Sequence, residues 1–156
     1  DGYARASDDV GVCIVGRGPA IAQTGTSLVT ARYNDSDVLY LVPETSLSAT
    51  YDDKRFQQEA FLETMVGDVV SVRSPETLAP ELREAFRRLR LGDGPIAVQI
   101  PEDLLNGEVE GPVDPTDPPV GRGEQTARLH PDEEMVEAAF EHYLDSDAPR
   151  APVVIA

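Results

Sequence analysis

Gly16-Arg17-Gly18-Pro19-Ala20-Ile21 is the part of this chain best placed to do chemistry. A short apolar run, Val12-Cys13-Ile14-Val15, stops at two glycines, and a helical pattern follows from Pro19 onward. A strand that breaks at such a corner and feeds a helix turns backbone N–H groups toward whatever lies above it. In open parallel sheets ligands bind there, beyond the carboxyl ends of the strands. The corner begins like the dinucleotide fingerprint G-x-G-x-x-G, but Ile21 stands where the third glycine belongs and Pro19 suits that turn poorly. No Lys-Ser or Lys-Thr follows, which excludes a Walker phosphate loop. Two readings stay open from spacing alone: a ligand corner, or a tight turn whose glycines permit close packing.

The elements that position this corner follow in order. Val12 to Val15 suits a strand buried on both faces, with Cys13 a small buried hydrophobe and not a disulfide or metal thiol. Ile21, Leu28, Ala31 and Arg32 fall near one stripe of a single helix, with Thr24 and Val29 beside it. Asp37 to Val42 is a second core strand, ended by Pro43-Glu44-Thr45-Ser46. Glu44 is expected to be a solvated loop acid, and Ser46 to Asp53 a surface loop. Phe56 to Phe61 predicts a short helix with Phe56, Ala60 and Phe61 or Met65 on its buried side. Asp68 to Val72 is a third strand. Ser74 then caps a helix with Pro75 at its first position and Glu76 at the positive end of its dipole. Leu78, Leu82, Ala85, Phe86 and Leu89 give that helix one apolar stripe, and Arg87, Arg88 and Arg90 lie in its last turn. Gly92 terminates it, and Ile96 to Ile100 is a fourth strand.

Residues 106–130 are rich in proline, glycine and acids without periodicity, the composition of a linker. A further helix is expected from Pro131, with Val136, Ala139, Phe140, Tyr143 and Leu144 buried, His142 facing solvent and His130 a loop or cap residue. Pro152 to Ala156 is a strand. The expected organisation is a domain over 1–105, a linker over 106–130, and the first helix and strand of a second α/β domain over 131–156. The fold class is α/β, a three-layer α/β/α arrangement with a mostly parallel sheet.

Ordered matches along the chain carry a family resemblance. They are Asp1-Gly2-Tyr3-Ala4-Arg5-Ala6, Gly11-Val12-Cys13-Ile14-Val15, Gly18-Pro19, then Val72-Arg73-Ser74-Pro75-Glu76-Thr77-Leu78 and Glu84-Ala85-Phe86-Arg87. Gly94-Pro95-Ile96-Ala97-Val98 and Ile100-Pro101-Glu102-Asp103-Leu104 complete the set. Together they resemble the N-terminal pyrimidine-binding domain of thiamine-diphosphate-dependent enzymes, of the acetolactate synthase, 2-oxoacid decarboxylase and carboligase group. The resemblance implies a parent that cleaves or joins carbon–carbon bonds next to a carbonyl of 2-oxoacids. It implies thiamine diphosphate with Mg²⁺, the metal held by another domain, and leaves room for FAD. It also implies a homodimer or homotetramer.

By the same resemblance Gly18, Pro19, Ala20 and Gln23 match the family's G-P-G-x-x-N turn at the cofactor. Ala20 replaces a glycine there, and Gln23 an asparagine. Phe56-Gln57 matches a Phe-Gln pair near the family's substrate pocket, and Arg17, which replaces a small residue, either reaches an anionic substrate or points to solvent. The family's catalytic glutamate would precede Asp1, so no catalytic residue is assigned, and the chain is expected to be a fragment without activity of its own. Gly92-Asp93-Gly94 matches the family's metal motif only by accident, since it joins a helix to a strand; no metal ligand is assigned. A non-catalytic scaffold that keeps this fold is the alternative.

Composition bounds the partners. Twenty-nine acidic residues against 13 basic ones give a formal charge of −16, and Lys54 is the only lysine. The acids are scattered along the chain, which argues for salt adaptation over nucleic-acid mimicry, and no nucleic-acid partner is expected. No apolar stretch reaches membrane-spanning length and there is no basic-then-apolar leader, so a cytoplasmic protein without a membrane partner is expected. Screening of repulsion among carboxylates predicts that the melting temperature rises as KCl goes from millimolar to molar. Melts that show no gain over that range would refute salt adaptation.

Overall fold

The computed structural model describes residues 1–7 and 9–108, together with 134, 137 and 138. The chain divides into two compact units, Asp1–Gly121 and Arg122–Ala156. In the second, Glu134, Glu137 and Ala138 are helical and exposed. The expected linker beyond residue 108, the apolar stripe of the last helix, both histidines and the strand Pro152 to Ala156 lie outside the described residues.

In the first unit the elements run α1 (Gly2–Ser7), β1 (Gly11–Ile14), α2 (Pro19–Gln23), α3 (Gly25–Tyr33), β2 (Val38–Glu44), α4 (Gln58–Met65), β3 (Asp68–Ser71), α5 (Pro75–Arg90), β4 (Ile96–Pro101) and α6 (Glu102–Leu105). The four strands form one sheet in the order β1-β2-β4-β3, parallel throughout. The crossovers from β1 to β2 and from β2 to β3 advance in one direction, whereas the return from β3 to β4 runs backward. Right-handed crossovers therefore require the last helix to land on the opposite face. It does. Leu89, Ala85, Leu82 and Leu78 of α5 pack on Leu39, Ile96 and Val98, while Ile21, Leu28 and Leu62 from α2, α3 and α4 pack on Tyr40, Val42 and Ala97. The result is the three-layer α/β/α arrangement.

Several local expectations are corrected. β1 is an edge strand of the described sheet: Gly11 is buried, but Val12 and Ile14 are 51% and 70% exposed, and Cys13 is exposed. It pairs with β2 alone among the described strands, and α5 packs over the other three, so its outer flank stays open. Cys13 is thus not a core residue. The helix expected from Pro19 is two helices meeting at Thr24, and Arg32 faces solvent. Thr24 accounts for the break. Its N–H and its hydroxyl both bond the Ile21 carbonyl, at 3.1 and 2.7 Å, and the hydroxyl also meets the Tyr40 phenol. An i→i−3 turn of this kind ends an α-helix.

α4 begins later than its sequence pattern suggests, at Gln58, and buries Gln58 and Leu62. Phe56 lies ahead of it, 37% exposed and edge-on to Phe61, and Ala60 is exposed. Ser74 is the extended residue before α5, but its hydroxyl makes no cap bond. The Glu76 carboxylate accepts its own N–H and the Ser74 hydroxyl instead, which holds it below the usual carboxylate range. The arginines closing α5 each have a local partner: Arg87 pairs with Glu84, Arg88 with Asp68 and Asp93, and Arg90 lies over the Phe86 ring. Gly92 and Gly94, at φ 87° and 73°, make the helix-to-strand turn expected there, with Asp93 held by Arg88. Among the described residues no helix is long and apolar enough to cross a membrane.

Candidate functional site

Because the strands are parallel, β1, β2 and β4 end on the same edge, and a cavity of about 750 Å³ opens there. Arg17 and Gly18 from the corner after β1, Glu44 at the end of β2, the segment 45–57 and the first turn of α4 line it. Segment 45–57 crosses this edge as a strap tied down by carboxylates. Asp52, with a side chain only 4% exposed, accepts the Thr45 hydroxyl at 2.6 Å and the Lys54 N–H at 2.9 Å, and it is ion-paired with Arg17. Those two hydrogen bonds, and behind them the Arg17 charge, hold its carboxyl below the ordinary range. Arg17 also lies 3.4 Å from Glu102 at the start of α6. Beside it, Asp103 accepts the N–H groups of Leu47 and Ser48 at 3.2 and 3.3 Å. Burial opposes ionisation of Asp103, but the backbone donors outweigh it and the net shift is downward.

Under the strap runs a buried amide relay. Gln99 on β4 is fully buried, and Gln58 at the start of α4 is 9% exposed. Gln58 Nε2 donates to the Pro43 carbonyl at 3.2 Å and to Gln99 Oε1 at 2.8 Å. Gln99 Nε2 donates to Ser71 Oγ at 3.1 Å, and Ser71 donates to Glu59 at 3.2 Å. Pro43 supplies the carbonyl while lacking an N–H of its own. Both N–H bonds of the Gln58 amide are thereby engaged, which leaves its oxygen as the acceptor of that group.

The expected site residues divide into two groups. Arg17, Gly18, Phe56 and Gln57 line the cavity. Pro19, Ala20 and Gln23 lie on α2, behind the corner, and do not line it. Gly18 has φ +63°, and a Cβ built on it would sit 2.7 Å from the Lys54 carbonyl oxygen and 2.8 Å from Lys54 Cβ. The glycine is required there by the strap that lies against it. Glu44, expected in solvent, is instead 25% exposed and paired with Arg73 at 2.5 Å while lining the cavity. Sequence reasoning missed Gln58, whose only signal is its place at the head of an apolar-periodic stretch, and Asp52, which no pattern distinguishes from the acids around it. Among the described residues no group of three or more His, Cys, Asp or Glu side chains is placed to hold a metal ion.

Comparison with known proteins agrees with this geometry. The family described as thiamine pyrophosphate enzyme, N-terminal TPP binding domain, matches residues 1–66. The chain is 34% identical over 119 residues to an acetolactate synthase of Arthrospira platensis, covering 74% of this chain and 21% of that protein. It is 36% identical over 115 residues to the acetolactate synthase isozyme 3 large subunit of Escherichia coli K12, covering 68% and 19%. To the sulfoacetaldehyde acetyltransferase of Rhodobacter capsulatus it is 28% identical over 108 residues, covering 67% and 18%. These matches span about a fifth of each relative's length. Residues 1–66 of this parallel α/β domain, whose cavity opens at the carboxyl edge of the sheet, thus match the N-terminal TPP binding domain of the thiamine pyrophosphate enzymes.

Proposed function

We propose that this domain holds the pyrimidine end of thiamine diphosphate in an acetolactate synthase-like enzyme acting on 2-oxoacids. The observation that carries the reading is the cavity at the carboxyl edge, lined by Phe56 and by Gln58, whose amide is tied to Gln99. The residues present fit the group: Gln58 offers an oxygen to a donor on a heteroaromatic ring, and Phe56 offers a flat apolar surface. When bound, thiamine diphosphate supplies the electron sink by which bonds beside a carbonyl are cleaved or formed. In this reading Gly18 brings the strap close and closes one wall. Pro19, Ala20 and Gln23 set the direction of the corner from behind, while Gln57 and Phe56 face the substrate side. Arg17 acts on the strap through Asp52 and so positions the site from its rim. The parent would be a homodimer or homotetramer in the cytoplasm, with Mg²⁺ held by residues other than those described.

Titration of the chain with thiamine and with thiamine diphosphate, followed through backbone amide shifts, tests this. Saturable shifts are expected at Gly18 and at Phe56 to Gln58. Gln58→Leu is expected to weaken them roughly fivefold, about 1 kcal/mol for one lost hydrogen bond. Absence of saturable shifts in the unmodified chain would favour the scaffold reading, which the closure of Gly18 by Lys54 supports.

A further inference from the structure

One pair of charged side chains among the described residues, Lys54 and Arg55, stands apart from the others. In a chain of 29 acids and 13 bases a cation has many potential partners. Accordingly Arg17, Arg73, Arg87 and Arg88 are ion-paired, Arg32 donates to the Thr64 carbonyl and Arg90 lies over a ring; Arg5 and Arg83 are engaged as well. Apart from Arg90, which lies over the Phe86 ring with its Nη1 buried, Lys54 and Arg55 are the described cations whose side chains have no hydrogen-bond or ion-pair partner, although their backbone groups are bonded. They are adjacent in sequence, and both line the cavity. Glu59 and Glu63 line it too, yet neither pairs with them, and Glu59 is engaged by Ser71. Lys54 is held in place by its own N–H on Asp52 and by Gly18 against its carbonyl, so its side chain leaves from a fixed point of the strap. Arg17, the cation expected at this rim, is already committed to Asp52 and Glu102.

We propose that Lys54 and Arg55 form an anion subsite on the strap side of this cavity, one that takes a compact oxyanion such as the acid group of a small ligand. Two cations that line one cavity without partners are free to coordinate an oxyanion, to which a guanidinium offers a planar fork. At physiological salt the Debye length is about 8 Å, so an anion in direct contact with the pair is attracted with little screening. The proposal deepens the cofactor reading by naming what the same cavity recognises, but it does not require thiamine.

The test is a titration of the full 156-residue chain with inorganic phosphate and, separately, with pyruvate, at constant ionic strength set by KCl, read from backbone amide shifts. Saturable shifts at Lys54, Arg55 and the first turn of α4 are expected. The double variant Lys54→Gln/Arg55→Gln removes only exposed, unbonded side chains and leaves the fold intact, so its spectrum stays dispersed. Its affinity is expected to fall at least tenfold, about 1.4 kcal/mol. Arg32→Gln, a charge change on α3 away from the cavity, is expected to leave affinity unchanged. Saturation by pyruvate assigns the subsite to a carboxylate, and saturation by phosphate alone assigns it to a phosphate-bearing ligand. No saturation with either anion, equal affinity in the double variant, or an equal loss in Arg32→Gln would each overturn the proposal. Neither titration contains thiamine, so failure here and failure of the cofactor reading are told apart.

Discussion

Gly18→Ala and Gly18→Val are expected to destabilise the domain by similar amounts, about 2–4 kcal/mol each, and to release the strap. A non-glycine residue at φ +63° carries a backbone cost of about 1–2 kcal/mol, and somewhat more when β-branched. The larger effect is steric. Any Cβ here would stand 2.7 Å from the Lys54 carbonyl oxygen, which belongs to backbone and has no rotamer by which to retreat. The clash is made at the first carbon, so alanine already meets it and valine adds little. Hydrogen exchange would report the strap: the Lys54 amide is protected by Asp52, and it should exchange faster in both variants while amides of β4 keep their relative protection. Chemical denaturation gives the stability change. If alanine were tolerated and only valine destabilised, the close approach of the strap would not be the reason for the glycine.

This pair of residues also shows why the site was only partly legible in the sequence. The glycine corner, its position beyond a strand and its nearness to the end of β2 follow from local pattern and parallel topology, and all three are present in the structure. What faces Gly18 does not follow, because Lys54 is 36 positions away and nothing in its neighbours marks it as a contact. Asp52 is a similar case. One acid in an Asp-Asp pair becomes 4% exposed because Thr45, Arg17 and its own turn converge on it, and composition suggests only solvent. Gln58 and Gln99 illustrate another limit. A glutamine inside an apolar strand conflicts with the pattern unless its partner is known, and the partner lies 41 positions away on a helix that starts later than its periodicity implies.

The fold was more legible than the site where a single element determines its own environment. α5 carries a stripe at spacings of three and four over 16 residues, and every member of the stripe packs toward the sheet. β1 failed for the opposite reason. A run of four apolar residues fits a central or an edge strand equally well, and only pairing and helix placement distinguish them. The apolar run therefore correctly implied a strand, but not a buried one: Ile14 is 70% exposed.

Leu89→Ala is expected to be the most damaging single truncation in α5, at about 2–5 kcal/mol. Leu89 has no exposed surface and belongs to the core formed with Ile96, Val98 and Leu39. Alanine there leaves a void between a helix anchored at its end by Arg88, which bridges Asp68 and Asp93, and a strand hydrogen-bonded on both sides. Neither wall can move in to fill it, which is the circumstance in which the cavity cost is highest. Leu82, on the same stripe but only partly buried, should lose less when truncated. The two variants separate packing from function. Both place their cavity on the α5 face of the sheet, whereas Gln58, Phe56 and Lys54 lie at its carboxyl edge, so ligand-induced amide shifts in the folded fraction should keep their midpoint in each. Urea denaturation with equal slopes gives the stability order. A loss for Leu82→Ala equal to that for Leu89→Ala would mean that the upper half of α5 is held as tightly as the lower. A shift in ligand midpoint in either would mean that the α5 face and the carboxyl edge are coupled through β4.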